Sequence, residues 1–332
     1  MGAVPDRVVN SYHVRYQLGT TLGARREASI PGALDLHVHA QPGTEDPLDI
    51  AKAASQAQMG GVVFKNLPGG KPRSEVVRET VEQLGRWAEA ERVEPINCFF
   101  GVQTDPQYGG LDVEHVRAAV DEGARVIWFP VISSAHNIHR VGAPSRFLPK
   151  GFTEESVVWP LPWDEARRAG QYLLDDDDAT LKPVASEILR LAADRGVAVS
   201  FAHSSKPEME ALAEECSRIG YTQAFIDHPY GPQVGLELDD LSPFAQAGIH
   251  FNFTYDEISP LLGVDPQVMM DTIRAIGPDH FTLSSDGGNP LLPGAVPALD
   301  TLVRYARAYG IGDDDVHQMT VVNPRKVLGL VA

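Results

Sequence analysis

A chain of 332 residues is long enough for one large domain or two ordinary ones, with a sizeable buried core. Its 43% hydrophobic and 22% charged residues are ordinary for a soluble globular enzyme. With 28 Lys+Arg against 45 Asp+Glu, the formal net charge of −17 argues against nucleic-acid and anionic-membrane partners, while leaving a small-molecule substrate open. Cys98 and Cys216 imply no disulfide framework. There is no apolar signal-like run in residues 1–10 and no stretch of 18 apolar residues, so the expectation is a cytoplasmic protein.

Residues 1–30 read as an N-terminal extension preceding a barrel domain over 31–332. From there, short β-branched or aromatic runs alternate with helical patterns. Strands are expected at 33–39, 61–66, 96–102, 125–131, 197–203, 223–228, 249–254 and 281–285. Helices are expected at 47–59, 74–92, 112–122, 183–195, 207–219, 238–247, 266–276 and 296–309. Seven of these precede a glycine suited to the left-handed residue that ends a helix (Gly60, Gly123, Gly196, Gly220, Gly248, Gly277 and Gly310). Eight strands each followed by a helix is the count of an α/β (β/α)8 TIM barrel, with a doubly wound open sheet as the competitor. Residues 132–182 form a long insertion after the fourth strand, suited to a lid or an oligomer interface. Its acidic run Asp175–Asp178 reads as a solvated turn.

Polar residues gather at the strand ends. The first strand, Leu34-Asp35-Leu36-His37-Val38-His39, places His37 and His39 one pleat apart and thus on one side, with Leu36 and Val38 facing the other. Lys65 closes the second strand, His203 the fifth, His228 the sixth and Asp286 the eighth. Singly, each has an ordinary structural explanation. Jointly, four histidines and an aspartate at the catalytic face of one barrel form the N/O donor set preferred by Zn2+, with Mn2+ or Fe2+ as alternatives. His13, His115, His250, His280 and His317 fall in the extension, in helices or at strand starts and read as structural.

This order of residues (His-x-His on strand one, His on strands five and six, Asp on strand eight) resembles the amidohydrolase superfamily of metal-dependent barrels. The closing Asn323-Pro324-Arg325-Lys326-Val327-Leu328-Gly329 is similar to that superfamily's C-terminal segment. The resemblance implies that His37, His39 and Asp286 bind one metal ion, and that His203 and His228 bind a second or the substrate. One departure stands out. The bridging lysine or glutamate that binuclear members carry on strand four has no counterpart in Val126-Ile127-Trp128-Phe129-Pro130. Lys65 on strand two is the only strand-end lysine. It is a candidate for a metal-bridging carbamate, which requires a neutral amine, or for a protonated contact to substrate or oxyanion.

The expected chemistry follows from these ligands. A metal-bound water ionises near neutrality and attacks an amide, lactam, ester or lactone carbonyl of a small molecule. Asp286 is the expected proton acceptor and donor, and His228 or the metal polarises the carbonyl. Lys71, Arg73, His136, His139 and Tyr255 are candidate substrate contacts, the two histidines also candidate ligands, with Asp256 and Glu257 as pocket-lining neighbours. Two rivals share the scaffold: non-oxidative decarboxylation of an aromatic acid, and a metal-binding barrel without catalysis. A homo-oligomer is expected.

Overall fold

The computed structural model describes residues 30–40, 43–144, 157–175, 177 and 180–330. The extension expected at 1–30 therefore lies almost wholly outside the described residues. Eight parallel strands make one sheet in chain order: β1 (Leu34–His39), β2 (Gly61–Asn66), β3 (Asn97–Gln103), β4 (Val126–Trp128), β5 (Ala198–Ser200), β6 (Ala224–Asp227), β7 (His250–Thr254) and β8 (Phe281–Ser284). The sheet curls until β1 meets β8. A parallel bridge joins Val38 to Gly287, the His39 amide donates to the Gly287 carbonyl at 2.8 Å, and the Leu36 amide donates to Ser284 Oγ at 3.1 Å. The fold is a (β/α)8 barrel, nearly closed, with all eight expected strands present and several shorter than expected.

The strands are apolar on both sides because both sides are covered. Leu34, Leu36, Val63, Val126, Trp128, Ala198 and Phe225 pack inside the barrel together with Val327 and Leu328. Val38, Val62, Phe64, Phe100, Val102, Ile127 and Val199 pack outward into the main core. The placement of Leu36 corrects simple alternation. The β1–β2 pairing breaks register between Asp35 and Val38, and within that bulge the His37 amide bonds Asp35 Oδ1 at 3.0 Å. Leu36 stays inside, and His37 follows it there. Re-aiming one side chain is what a bulge does.

Helix ends largely follow the glycines, with positive φ at Gly123, Gly196, Gly220, Gly248, Gly277 and Gly310. The first helix is the exception: Pro47–Gln56 is followed by left-handed Gln58 (φ 57°), and Gly60 is not left-handed. The C-terminal segment closes the barrel's lower end. Asn323 Nδ2 donates to the carbonyl of Phe281 at the start of β8, and Gln223 Nε2 bonds the Val327 carbonyl below β6. Within the insertion, helices Ala135–Arg140 and Trp163–Ala169 pack together beside a two-residue ladder of 143–144 with 157–158; residues 145–156 lie outside the described residues. Asp175 accepts from Thr180 Oγ1 at 2.5 Å, while Asp176 and Asp178 of the acidic run lie outside the described residues. Among the described residues, no helix is long and apolar enough to cross a membrane.

Candidate metal centre

His37, His39, Lys65, His203, His228 and Asp286 all reach the upper mouth of the barrel, but not by strand alternation alone. His37, His39 and Lys65 lie within strands β1 and β2; His203, His228 and Asp286 lie just past β5, β6 and β8. Three of the five non-glycine residues with positive φ among the described residues sit there: Ala202 (50°), His228 (33°) and Asp286 (49°). L-residues adopt this region at a cost, and such strain concentrates where function needs it. At β6 the consequence is direct. Alternation would place Asp227 and His228 on opposite faces, yet His228 Nε2 comes within 3.9 Å of Asp286 Oδ2 while Asp227 reaches His37.

The donor atoms converge. His37 Nε2, His39 Nε2 and Asp286 Oδ1 form a near-equilateral triangle with edges of 3.1, 3.0 and 3.1 Å. Donors about 2.0–2.2 Å from one tetrahedral ion stand about 3.3 Å apart, so this triangle has the size of one face of such a coordination shell. His203 and His228 make a second pair, Nε2 to Nε2, at 3.3 Å. Asp286 stands between the two, Oδ1 with the first pair and Oδ2 toward His228; His37, His228 and Asp286 alone could hold an ion. Lys65 Nζ lies 3.0 Å from His37 Nε2 and 5.5 Å from the Trp128 ring centre.

Outer ring nitrogens are tied down one by one. His37 Nδ1 meets Asp227 Oδ1 at 3.1 Å, and His203 Nδ1 donates to Asn137 Oδ1 at 2.8 Å. The side-chain amide of Asn66 lies 2.9 Å from His39 Nδ1, and that of Gln233 lies 3.2 Å from His228 Nδ1. An amide can turn its oxygen to a ring N–H, so all four rings can carry the proton outside and leave Nε2 free inward. That is the arrangement of ligating histidines.

Electrostatics point the same way. Burial drives His203 well below its usual pKa, with His228 adding to the effect, and brings His228 to about 4 against the pull of Asp286 and Asp227. Burial likewise lowers His39 and the Lys65 amine. For Asp286, burial acts to raise the pKa, but His37 and His39 outweigh it and hold the carboxyl well below its ordinary range. Asp227 follows the same balance, with His37 and Lys65 opposing burial. Neutral His203 and His228 rings beside ionised carboxylates are the states in which these groups bind a cation.

The expected substrate contacts fare differently. Lys71 pairs with Glu79 at 2.5 Å and Glu75 at 3.4 Å on the surface. Arg73 donates to the carbonyls of Lys65 and Gly101 and lies over the Tyr108 ring, a clamp on β2 and β3. His136 Nε2 bonds the Val234 carbonyl at 2.9 Å and His139 Nδ1 the Leu161 carbonyl at 2.8 Å, so both tether the insertion and neither joins the cluster. Tyr255 packs against the core, whereas its neighbour Asp256 feels the cluster: burial, then Asp286, pushes it up to about 7. Sequence reasoning missed Asp227, Trp128, Ser200, Asn252, Asn137 and Gln233, which surround the donor cluster. The Asp-His pair at 227–228 was visible, but not that a left-handed residue would turn both inward. Of the structural histidines, His13 lies outside the described residues, and His115, His250, His280 and His317 stand in helices or at strand starts.

The (β/α)8 fold is shared with solved structures of low sequence identity. Similar solved structures include an amidohydrolase from Pseudomonas aeruginosa (TM-score 0.57, 10% identity, covering 89% of this chain and 95% of that one). A triple mutant of the organophosphorus hydrolase from Deinococcus radiodurans matches with TM-score 0.53 and 18% identity over 91% of this chain and 95% of that one. The 5-methylcytosine deaminase from Klebsiella pneumoniae, liganded with phosphonocytosine, gives 0.50 and 14% over 91% and 76%. No curated protein matches the chain. The chain belongs to DUF6282, a family of unknown function, whose model matches residues 32–252.

Proposed function

We propose that this protein is a metal-dependent hydrolase acting on an amide, lactam, ester or lactone carbonyl of a small molecule. The observation that carries this reading is the triangle of His37, His39 and Asp286, with edges of 3.0–3.1 Å and no apolar atom needed to explain it. His37, His39 and Asp286 hold the first ion, and His203 and His228 hold a second ion or the substrate. The nitrogen-rich donor set favours zinc, with manganese or iron as alternatives. A bound divalent ion supplies a water that ionises near neutrality and an electrophile for the carbonyl oxygen. Asp286 keeps Oδ1 with the histidine pair, while its Oδ2 takes a proton and passes it to the leaving group. His228, kept neutral by burial, polarises the carbonyl from the other side by donating from Nε2 while its Nδ1 accepts from Gln233 Nε2 at 3.2 Å.

Lys65 has a narrower choice. Its Nζ is 3.0 Å from His37 Nε2, too close for an ammonium to share the site with a divalent cation. The neutral amine, or the carbamate it forms with carbon dioxide, is compatible with a metal. On this reading, bicarbonate raises the activity of reconstituted apoprotein, and indifference to bicarbonate removes the carbamate. For the centre as a whole, His37→Ala and Asp286→Ala should each lower zinc content measured by inductively coupled plasma mass spectrometry and abolish ester, lactone and amide turnover. Folded variants with wild-type metal content would show the site to be misassigned.

A further inference from the structure

Strand β3 carries a buried polar group that the chemistry above leaves unused. Its residues alternate: Phe100 and Val102 join the outer core, while Phe99 packs with the inner cluster. Gly101 lies in the same inner row, and any Cβ there would run into the Trp128 ring. Gln103 is the next inner residue, at the mouth end of the strand and paired in register with Trp128. It is 3% exposed, and its Oε1 is buried and accepts no hydrogen bond among the described residues.

Its surroundings are those of the metal centre. Trp128, its lateral partner, is 5.9 Å from His37 between ring centres and 5.5 Å from Lys65 Nζ. The other polar side chains of the inner rows are satisfied: Ser200 and Asn252 bond Asp227, and Thr282 and Ser284 bond Asn252. Three further buried atoms make no hydrogen bond as they stand: Asn66 Oδ1, which reaches His39 Nδ1 when its amide turns, and His115 Nε2 and His250 Nδ1, which belong to helix Val113–Asp121 and to the start of β7 rather than to the inner strand rows. A buried acceptor left unpaired is unfavourable, and a native structure keeps one where a ligand or ordered water completes it.

We propose that Gln103 is a substrate-recognition residue whose Oε1 accepts a hydrogen bond from an N–H of the substrate, so that the site takes lactams and cyclic ureides ahead of lactones and esters. This rests on the hydrolase reading for the reaction itself. A carboxamide presents an acceptor and a donor in one plane, the complement of an N–H beside a carbonyl. An ester or lactone offers acceptors only and leaves Oε1 unpaired, and a site built for a hydrogen bond discriminates strongly against the analogue that lacks it.

The test uses binding, so that it does not depend on turnover. Calorimetry on the zinc-loaded full-length protein compares δ-valerolactam and dihydrouracil with δ-valerolactone and N-methyl-δ-valerolactam. The N–H compounds should bind about tenfold or more tightly than the two compounds without it. In Gln103→Met, which keeps length and loses both polar atoms, the lactam-to-lactone affinity ratio should collapse by a similar factor, with zinc content confirming an intact centre. The N-methyl comparison on wild-type protein stands even if that variant fails to fold. Equal affinity for the N–H and N-methyl lactams, no binding of either N–H compound, or an unchanged ratio in Gln103→Met (a water completing Oε1) would overturn the proposal. Tight lactam binding without hydrolysis would count against the hydrolase reading alone.

Discussion

Asp227 stands outside the triangle of His37, His39 and Asp286, and four donors meet on its two buried oxygens. His37 Nδ1 and Asn252 Nδ2 bond Oδ1 at 3.1 and 2.8 Å, and Ser200 Oγ and Trp128 Nε1 bond Oδ2 at 2.6 and 2.8 Å. A fully buried carboxylate is tolerable only when satisfied in this way. It also fixes the His37 proton on Nδ1, which leaves Nε2 available to an ion. Asp227→Asn keeps the shape but puts an amide N–H₂ where only acceptors fit. The expected cost is about 3–5 kcal/mol in urea unfolding, with metal affinity falling about 10–100-fold in a chelator competition. A folded variant with wild-type affinity would show that His37 needs no such anchor. Residues of this kind are hard to read from a sequence. Ligand types announce themselves by chemistry, whereas Asp227 matters because of Trp128, ninety-nine positions away, and Asn252, twenty-five away.

The helix Ala135–Arg140 plays the corresponding part for the second histidine pair. Asn137 holds His203 through Nδ1 and is itself fixed by donating to the Gly142 carbonyl at 2.9 Å and the Ile132 carbonyl at 3.1 Å. Ser134 Oγ donates to the His203 carbonyl at 2.7 Å. His136 and Arg140 grip the carbonyls of Val234 and Pro232, in the loop whose Gln233 touches His228. The opening of the insertion is therefore a brace for His203 and His228. Asn137→Ala should weaken metal binding about 10–100-fold, whereas His136→Ala, one bond further out, should change it less. Equal effects of the two would mean that the helix acts only as packing. Elements were the part of this molecule most legible in advance. The β-branched runs marked all eight strands, and glycines marked most helix ends, because both signals are local. The β1 bulge was not legible, since Asp35 bends the chain by bonding the amides of His37 and of Ser285 across the seam. Nor was the brace, whose His136 and His139 bond the carbonyls of Val234 and Leu161.

At the scale of the whole barrel, the two ends have opposite characters. The mouth gathers the ionisable cluster, and the lower end is plugged by apolar Val327 and Leu328 with Asn323 bonding the carbonyls of Pro278 and Phe281. His250 sits at that lower end, opening β7, with Nδ1 buried and unpartnered among the described residues. Burial pushes it down to about 4 from the usual 6.5, with His280 and Lys326 adding to the effect and Asp279 opposing it. The direction of the linkage follows. Above pH 6.5 the ring is neutral in both the native and unfolded chains and pH has no effect through it. As pH falls from 6.5 toward 4, the unfolded chain takes up a proton that the native protein refuses, so stability declines; below about 4 both are protonated and the decline ends. With allowance for partial solvent exposure, this group accounts for about 2 kcal/mol of the acid loss. His250→Gln removes the proton site while keeping the polarity. In urea titrations of metal-free protein, the variant should therefore lose about 2 kcal/mol less than wild type across that interval. Parallel wild-type and variant curves would place the acid sensitivity at the mouth, among Asp227, Asp286 and their histidines, and not at the plugged end.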